Sequence, residues 1–345
     1  MQGRLKATLV VAAVITALTG GLAASAYAFS RVSPWPMVFV QRYKWDQSGL
    51  DMNKALERFV PDNVAGQLDI QYDVGDEDAR LDVYYPSTID QTNQILPVIV
   101  WTHGGSWISG SKDYVSNYLK ILASKGFTVV GVGYSLAPAK LYPTPVRQLN
   151  AALAFIERNG RALHADASRI FLAGNSAGAQ IAAQVANAIT SPSYAAEVGI
   201  RPSIEPSQLI GAVFHCGAYD TKFASFRRNG VLWAYFGTKD FAADPRSSQF
   251  SVARHVTPKF PAMFISAGND DVLAAQSYLF AENATKQGVF VDRLFFPPDY
   301  TPKVLHEFQF GLDTEAGQLA LDRSVAFMAD RLKRSDGHTY GERLN

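Results

Sequence analysis

Ser176 stands at the centre of Gly174-Asn175-Ser176-Ala177-Gly178, between an apolar run from Arg169 to Ala173 and a small-residue helix signal from Ala177 to Ala188. A serine hydroxyl is a poor nucleophile near neutral pH and needs a base brought to it. A tight turn from strand to helix presents the hydroxyl to such a base, and small flanking residues keep the turn free of clashes. His103-Gly104-Gly105-Ser106-Trp107 follows a second apolar run, Pro97 to Thr102, and occupies the chain position from which backbone N–H groups can meet a developing oxyanion. An acid and then a histidine follow the serine. Asp271 lies in Gly268-Asn269-Asp270-Asp271-Val272, after the run Pro261 to Ser266, and His306 lies in Leu305-His306-Glu307-Phe308, after Val289 to Phe296. Each falls in a loop at the carboxyl end of a predicted strand, and such loops converge on one crevice of an α/β sheet. The chemistry this order serves is nucleophilic acyl transfer. Asp270 is a rival to Asp271, which is preferred as the fourth residue of a Gly-x-x-Asp turn. Among the histidines, His103 opens the Gly-Gly loop, and His164, His215, His255 and His338 do not follow a late strand.

The elements that must position these groups are visible as hydrophobic patterns. Gln67 to Asp73 and Leu81 to Tyr85, separated by the polar stretch Val74 to Arg80, read as a hairpin. Val98 to Trp101 and Phe127 to Tyr134 are apolar without strict alternation, as central strands covered on both faces should be. Between them Val115, Tyr118, Leu119 and Leu122 follow helical spacing, ended by Lys125-Gly126, which makes a βαβ unit. Val146, Leu149 and Leu153 mark a further helix, Ile210 to His215 a further strand, and Leu321, Val325, Met328 and Leu332 a closing helix. Residues 31–66, with a helical pattern through Leu50 to Phe59, read as a linker and cap whose aromatics could line a substrate mouth, touch a membrane surface or simply pack on the main domain. Residues 67–335 form one catalytic domain and 336–345 a polar tail. Within the domain, residues 218–258 carry aromatics with little periodicity, as an insertion that shapes an acyl or alcohol pocket would.

The chain of 345 residues is 48% hydrophobic and 18% charged, with a formal net charge of +1 and no long basic run. Nothing there suits nucleic acid, and neutral or apolar substrates fit better. Cys216 is the single cysteine, so no intrachain disulfide can form, and no Cys/His zinc spacing occurs. No metal or cofactor is expected. The acidic group Asp73, Asp76, Glu77, Asp78 lacks a calcium-loop pattern and reads as a solvated turn. At the N-terminus Arg4 and Lys6 precede a charge-free stretch from Ala7 to Ser30. Its length suits a spanning helix that anchors the domain in the cell envelope. The alternative is an exported chain cleaved after Ala28, since Ala26-Tyr27-Ala28 has the small-x-small form of a signal-peptidase site.

His103-Gly104-Gly105, Tyr134-Ser135-Leu136-Ala137-Pro138, Gly174-Asn175-Ser176-Ala177-Gly178, the Gly268 to Asp271 turn and His306 followed by Phe308 together resemble the α/β-hydrolase esterases, in the branch related to hormone-sensitive lipase and to bacterial acetyl- and feruloyl-esterase-like proteins. The resemblance covers roughly residues 67–333. It implies an α/β-hydrolase fold, with a mostly parallel central sheet, helices on both faces and a small cap. It implies Ser176 as nucleophile, His306 as base, Asp271 as its orienting acid, and Gly105, Ser106 and Ala177 as backbone oxyanion donors. The substrate it implies is a small-molecule ester, with short- to medium-chain acyl or aryl groups. The sequence departs from the hormone-sensitive-lipase group, which usually has a third glycine where Ser106 stands, arginine at Ser135, glutamate at Ala139 and aspartate at Asn175. An amidase or formamidase with the same site is the alternative, and a non-catalytic hydrolase-like binding protein a third.

Overall fold

The computed structural model describes residues 27–221 and 230–342, with single positions at 21 and 25, and side chains as far as residue 335. Most of the expected anchor, Ala7 to Ser30, lies outside the described residues. Among those described, no helix is long and apolar enough to cross a membrane.

In chain order the elements are α1 (Trp35–Leu56), β1 (Val64–Gln71), β2 (Arg80–Pro86), β3 (Leu96–Thr102), α2 (Ser116–Ala123), β4 (Thr128–Val132), α3 (Thr144–Asn159), β5 (Ala165–Asn175), α4 (Ala177–Thr190), α5 (Pro192–Val198), β6 (Leu209–His215), α6 (Val231–Phe236), α7 (Arg246–Phe250), β7 (Met263–Ala267), α8 (Ala274–Lys286), β8 (Val291–Phe295) and α9 (Glu315–Glu342). The strands form one eight-stranded sheet in the order β1-β2-β4-β3-β5-β6-β7-β8. β1 and β2 pair antiparallel, as do β2 and β4, whereas β3 to β8 run parallel. This is the mostly parallel α/β sheet expected from the sequence.

The unbroken apolar strands serve two cores at once, because successive side chains point to opposite faces. Val98 and Val100 of β3, Ile170 and Leu172 of β5, and Phe214 of β6 join a core built with α3, α4 and α8. Their neighbours Ile99, Trp101, Phe171 and Val213 join the opposite core with α2 and α9. Each fully buried Val, Ile or Leu contributes about 1.5–3 kcal/mol of transfer free energy, so both faces must be covered. α4 is buried along its whole length, as its Ala-rich sequence suits. Two of its buried amide groups find acceptors: Gln184 Nε2 donates to the Tyr142 hydroxyl and Asn187 Nδ2 to the Val252 carbonyl.

Several expectations need correction. β1 begins at Val64, which pairs with Pro86, so the sheet reaches into the stretch taken as linker and cap. Within that stretch the helix expected from Leu50 starts earlier, since Trp35–Leu56 is a continuous 22-residue helix. Only Val38 and Leu56 of it are buried. α9 continues to Glu342, through most of the segment expected to be a polar tail. The acidic turn between β1 and β2 is exposed but anchored. Asp78 Oδ2 accepts from the Ser135 hydroxyl at 2.8 Å, and Asp76 Oδ2 from Gln148 Nε2 at 2.6 Å.

Candidate active site

Ser176 joins β5 directly to α4 with φ 51° and ψ −120°, a backbone conformation that is costly for a residue bearing a side chain. The turn persists because its surroundings determine it: the Ser176 N–H donates to the His215 carbonyl at 2.9 Å. Gly178 has no alternative, since a Cβ there would lie 2.0 Å from the Thr102 carbonyl oxygen.

His306, in the loop after β8, brings the other two groups to this turn. Its Nε2 lies 3.0 Å from Ser176 Oγ, and its Nδ1 lies 2.8 Å from Asp271 Oδ1. Asp271 is buried after β7, and the same oxygen accepts from the Leu273 N–H at 2.8 Å. Asp270 is exposed, and only its backbone N–H points inward, to the Val304 carbonyl. The choice between the two carboxylates is therefore a matter of which way the turn faces, and Asp271 is the one that meets His306.

Burial pushes the His306 proton affinity down. The hydrogen bond to Asp271 and the charges of Glu307 and Asp271 outweigh it, so the net shift is upward. The rival histidines have other occupations. His103 and His215 are both buried, which lowers them to about 4 and about 3. His103 stacks on Tyr134 with ring centroids 4.2 Å apart, and Tyr134 donates back to the His103 carbonyl at 2.9 Å.

The Gly-Gly loop runs through the left-handed region at Gly105, Ser106 and Trp107, and at the first of these only glycine fits. Gly105 has φ 115°, and a Cβ on it would fall 2.0 Å from the Ser109 carbonyl. The N–H groups of Gly105 and Ser106 donate to no acceptor among the described residues. Ala177 is the first residue of α4, where an N–H has no partner one turn back. Trp107 anchors the loop: it is fully buried, stacks on Tyr235 and donates from Nε1 to Gln180 Oε1 at 3.2 Å.

Four contributors were not singled out from the sequence. Arg42 of α1 donates to the Ile108 and Ala137 carbonyls at 2.6 and 3.0 Å, and Asp46 accepts from the Gly110 N–H at 3.0 Å, so α1 holds the loop from outside. Asn269 Oδ1 accepts from the Val304 N–H and its Nδ2 donates to the Pro297 and Tyr300 carbonyls, which staples the acid turn to the histidine loop. Glu307 accepts from Asn175 across the mouth of the site. Single polar residues on a helix or loop carry no periodic signal; only the Asn269 position, inside the Gly268 to Asp271 turn, hinted at a role.

These groups open into a cavity of about 320 Å³, a size that suits a small organic ligand. Its apolar wall comes from Trp45 and Met52 of α1, with Tyr114, Val231, Val272 and Leu273. α1 is thus both packed on the domain and part of the mouth, while Phe39 and Tyr43 on it are exposed. Val231 comes from the expected pocket-shaping insertion. Among the described residues, no lysine or arginine lines the cavity. Donor atoms of Cys216, Asp271 and His306 lie within 4.8 Å of one another, the metal-type cluster found among the described residues. Two of its members already share the His306–Asp271 hydrogen bond. Cys216 is buried at the end of β6, and burial followed by the charge of Asp271 pushes its thiol well above the usual range, so it is protonated.

Residues 99–309 match the profile of a family described as having the alpha/beta hydrolase fold. Among curated proteins, the chain is 29% identical over 147 residues to kynurenine formamidase of Salmo salar, which is 43% of this chain and 46% of that one. It is 34% identical over 134 residues to the carboxylesterase NlhH of Mycobacterium tuberculosis, 39% of this chain and 41% of the relative. The chain thus spans a little under half the length of these curated relatives. Among solved structures, a phosphonate-inhibited esterase B from Lactobacillus rhamnosis aligns with TM-score 0.75 at 20% identity, covering 90% of this chain and 98% of that one. A bacterial heroin esterase aligns with TM-score 0.66 at 21% identity, covering 84% and 90%. At these identities the structural likeness establishes the fold.

Proposed function

Because the chain belongs to the alpha/beta hydrolase fold family, we propose that it is a serine carboxylesterase acting on small, uncharged or apolar esters of short- to medium-chain acyl or aryl type. The observation that carries this is the placement of His306, with one ring nitrogen 3.0 Å from the Ser176 hydroxyl and the other 2.8 Å from the buried Asp271. In the proposed reaction Ser176 Oγ bonds to the ester carbonyl carbon while its proton passes to His306 Nε2. The carbonyl oxygen becomes an oxyanion held by the N–H groups of Gly105, Ser106 and Ala177, and each such donor is worth about 3 kcal/mol of barrier. As the carbonyl reforms, the bond to the alcohol oxygen breaks and His306 delivers the proton to it. Water then repeats the sequence on the acyl-enzyme and releases the acid. Asp271 orients the imidazole and stabilises its charged form.

The apolar side chains that line the cavity, Trp45, Met52, Val231, Val272 and Leu273, support substrates with neutral, apolar groups. A second reading, hydrolysis of an amide or formamide by the same groups, is supported by the match to kynurenine formamidase. Fluorophosphonate labelling of Ser176 tests the nucleophile. A panel of matched esters, anilides and formamides separates the two activities. We further propose that the charge-free stretch Ala7 to Ser30 holds the domain at a membrane of the cell envelope, with export and cleavage after Ala28 as the alternative outcome. Fractionation with N-terminal sequencing of the product distinguishes them.

A further inference from the structure

Asn175-Ser176 and His306-Glu307 are joined by more than the serine–histidine contact. Asn175 Nδ2 donates to Glu307 Oε1 at 2.5 Å, and Trp101 Nε1 donates to Asn175 Oδ1 at 3.1 Å. An indole nitrogen is a donor only, so Trp101 draws the amide oxygen of Asn175 to itself and leaves the NH₂ group for Glu307. Asn175 is buried, and Glu307 is half-buried with φ 60° at the cavity wall. The bond also rests on the oxyanion loop: a Cβ on Gly104 would fall 2.6 Å from both Asn175 Nδ2 and Glu307 Oε1. The nucleophile turn, the histidine loop and the oxyanion loop therefore meet at this one hydrogen bond.

We propose that Glu307 is a positioning residue matched to Asn175, locking the histidine loop onto the nucleophile turn, and that the carboxylate at 307 is the reason the chain carries an amide at 175. The inference rests on the serine-hydrolase reading. An aspartate at 175, usual in the related esterases, would keep the bond from Trp101 but turn its second oxygen onto Glu307. Two carboxylates in hydrogen-bond contact cannot both stay ionised without cost. Glu307 has a second effect through space. The groups that face His306 are Ser176 from the nucleophile turn, Asp271 from the acid turn, the Cys216 thiol from the end of β6 and the adjacent Glu307. Of these Asp271 and Glu307 carry charge, and both favour the imidazolium.

The test compares the full chain with Asn175→Asp, with Glu307→Gln and with both together, reading ester turnover, the rate of fluorophosphonate labelling and the pH profile, with circular dichroism to check folding. Asn175→Asp should lower kcat by roughly tenfold or more with KM little changed, because misplacing the reacting groups slows chemistry more than binding. Glu307→Gln retains an acceptor oxygen for Asn175, so it should cost less than Asn175→Asp, and it should move the acidic limb of kcat/KM to lower pH. The double variant should recover to within about threefold of the parent, since the glutamine NH₂ can donate to the new carboxylate and the two changes are coupled. Unchanged turnover in Asn175→Asp, or a folded double variant no faster than Asn175→Asp alone, would overturn the proposal. If Asn175→Asp does not fold, an unmoved acidic limb in Glu307→Gln overturns it. A parent chain that fluorophosphonate does not label at Ser176 overturns the serine-hydrolase reading and this inference with it, whereas labelling without rescue overturns the inference alone.

Discussion

Trp107 donates its indole N–H to Gln180 Oε1, which ties the loop carrying Gly105 and Ser106 to the helix that begins at Ala177. Both sets of proposed oxyanion donors are thereby held in one packed core, where Trp107 stacks on Tyr235 at 5.0 Å and meets Phe250 edge-on at 5.1 Å. Interiors packed at this density transmit displacement, so the loop cannot drift from the nucleophile turn without opening the core.

Trp107→Ala should therefore cost about 3–5 kcal/mol of stability, the range for deleting a buried large aromatic side chain. Trp107→Phe keeps an aromatic ring but leaves Gln180 Oε1 without this donor, and should cost about 1–3 kcal/mol. Urea unfolding of both variants measures this. A loss in Trp107→Phe as large as in Trp107→Ala would show that the hydrogen bond, rather than the packing, carries the tie.

Under the proposed roles, Ser176→Ala and His306→Ala should each abolish ester hydrolysis while the chain stays folded, because the groups act as a unit. Asp271→Asn should cost orders of magnitude, since the amide can hold the wrong tautomer of His306. Asp270→Asn should cost little, because that carboxylate is exposed and turned away. Steady-state rates on a chromogenic ester decide the matter, and reversed results for the two aspartates would reassign the acid.

The pH profile has a definite sign. His306 must be neutral to accept the serine proton, and its proton affinity lies above the ordinary imidazole value of 6.5, because Asp271 and Glu307 outweigh the effect of burial. Activity should rise with pH through a limb centred above 6.5 and level off beyond it. A kcat/KM profile on a non-ionising ester, centred below that value, would contradict the electrostatics of the site.

The N-terminal region should divide functionally at α1. Removing residues 1–30 should leave turnover on a water-soluble ester near normal, since the described site draws nothing from them. Removing residues 1–56 takes away Arg42 and Asp46, which bond to Ile108, Ala137 and Gly110, together with Trp45 and Met52 of the cavity wall. Most activity should be lost. Comparing the two truncations for turnover and labelling by fluorophosphonate checks it, and equal activity would remove α1 from the site.

What the sequence determined by itself was whatever depends on neighbours in the chain. An apolar strand feeding Gly174-Asn175-Ser176-Ala177-Gly178 and followed at once by a helix-forming run marks a tight strand-to-helix turn, because the small residues flanking Ser176 keep that turn free of clashes. The alternation of Val98, Ile99, Val100 and Trp101 between two cores follows from the strand period of two, so a sheet covered on both faces was legible in the apolar runs alone. Tertiary structure decided the rest. Asp270 and Asp271 are indistinguishable by type and differ only in which way a turn faces once Asn269 is stapled to Val304. The helical pattern legible from Leu50 to Phe59 marked only the end of α1, and the helix's place in the site depends on Arg42 and Asp46 reaching a loop more than sixty residues away. Asn175 and Glu307 lie 132 residues apart, and neither residue type implies the other until the fold brings an indole N–H to one end of the amide and a carboxylate to the other. Local backbone geometry is written in the residue types that permit it, whereas a hydrogen bond between distant segments exists only where packing has already excluded water and fixed both partners.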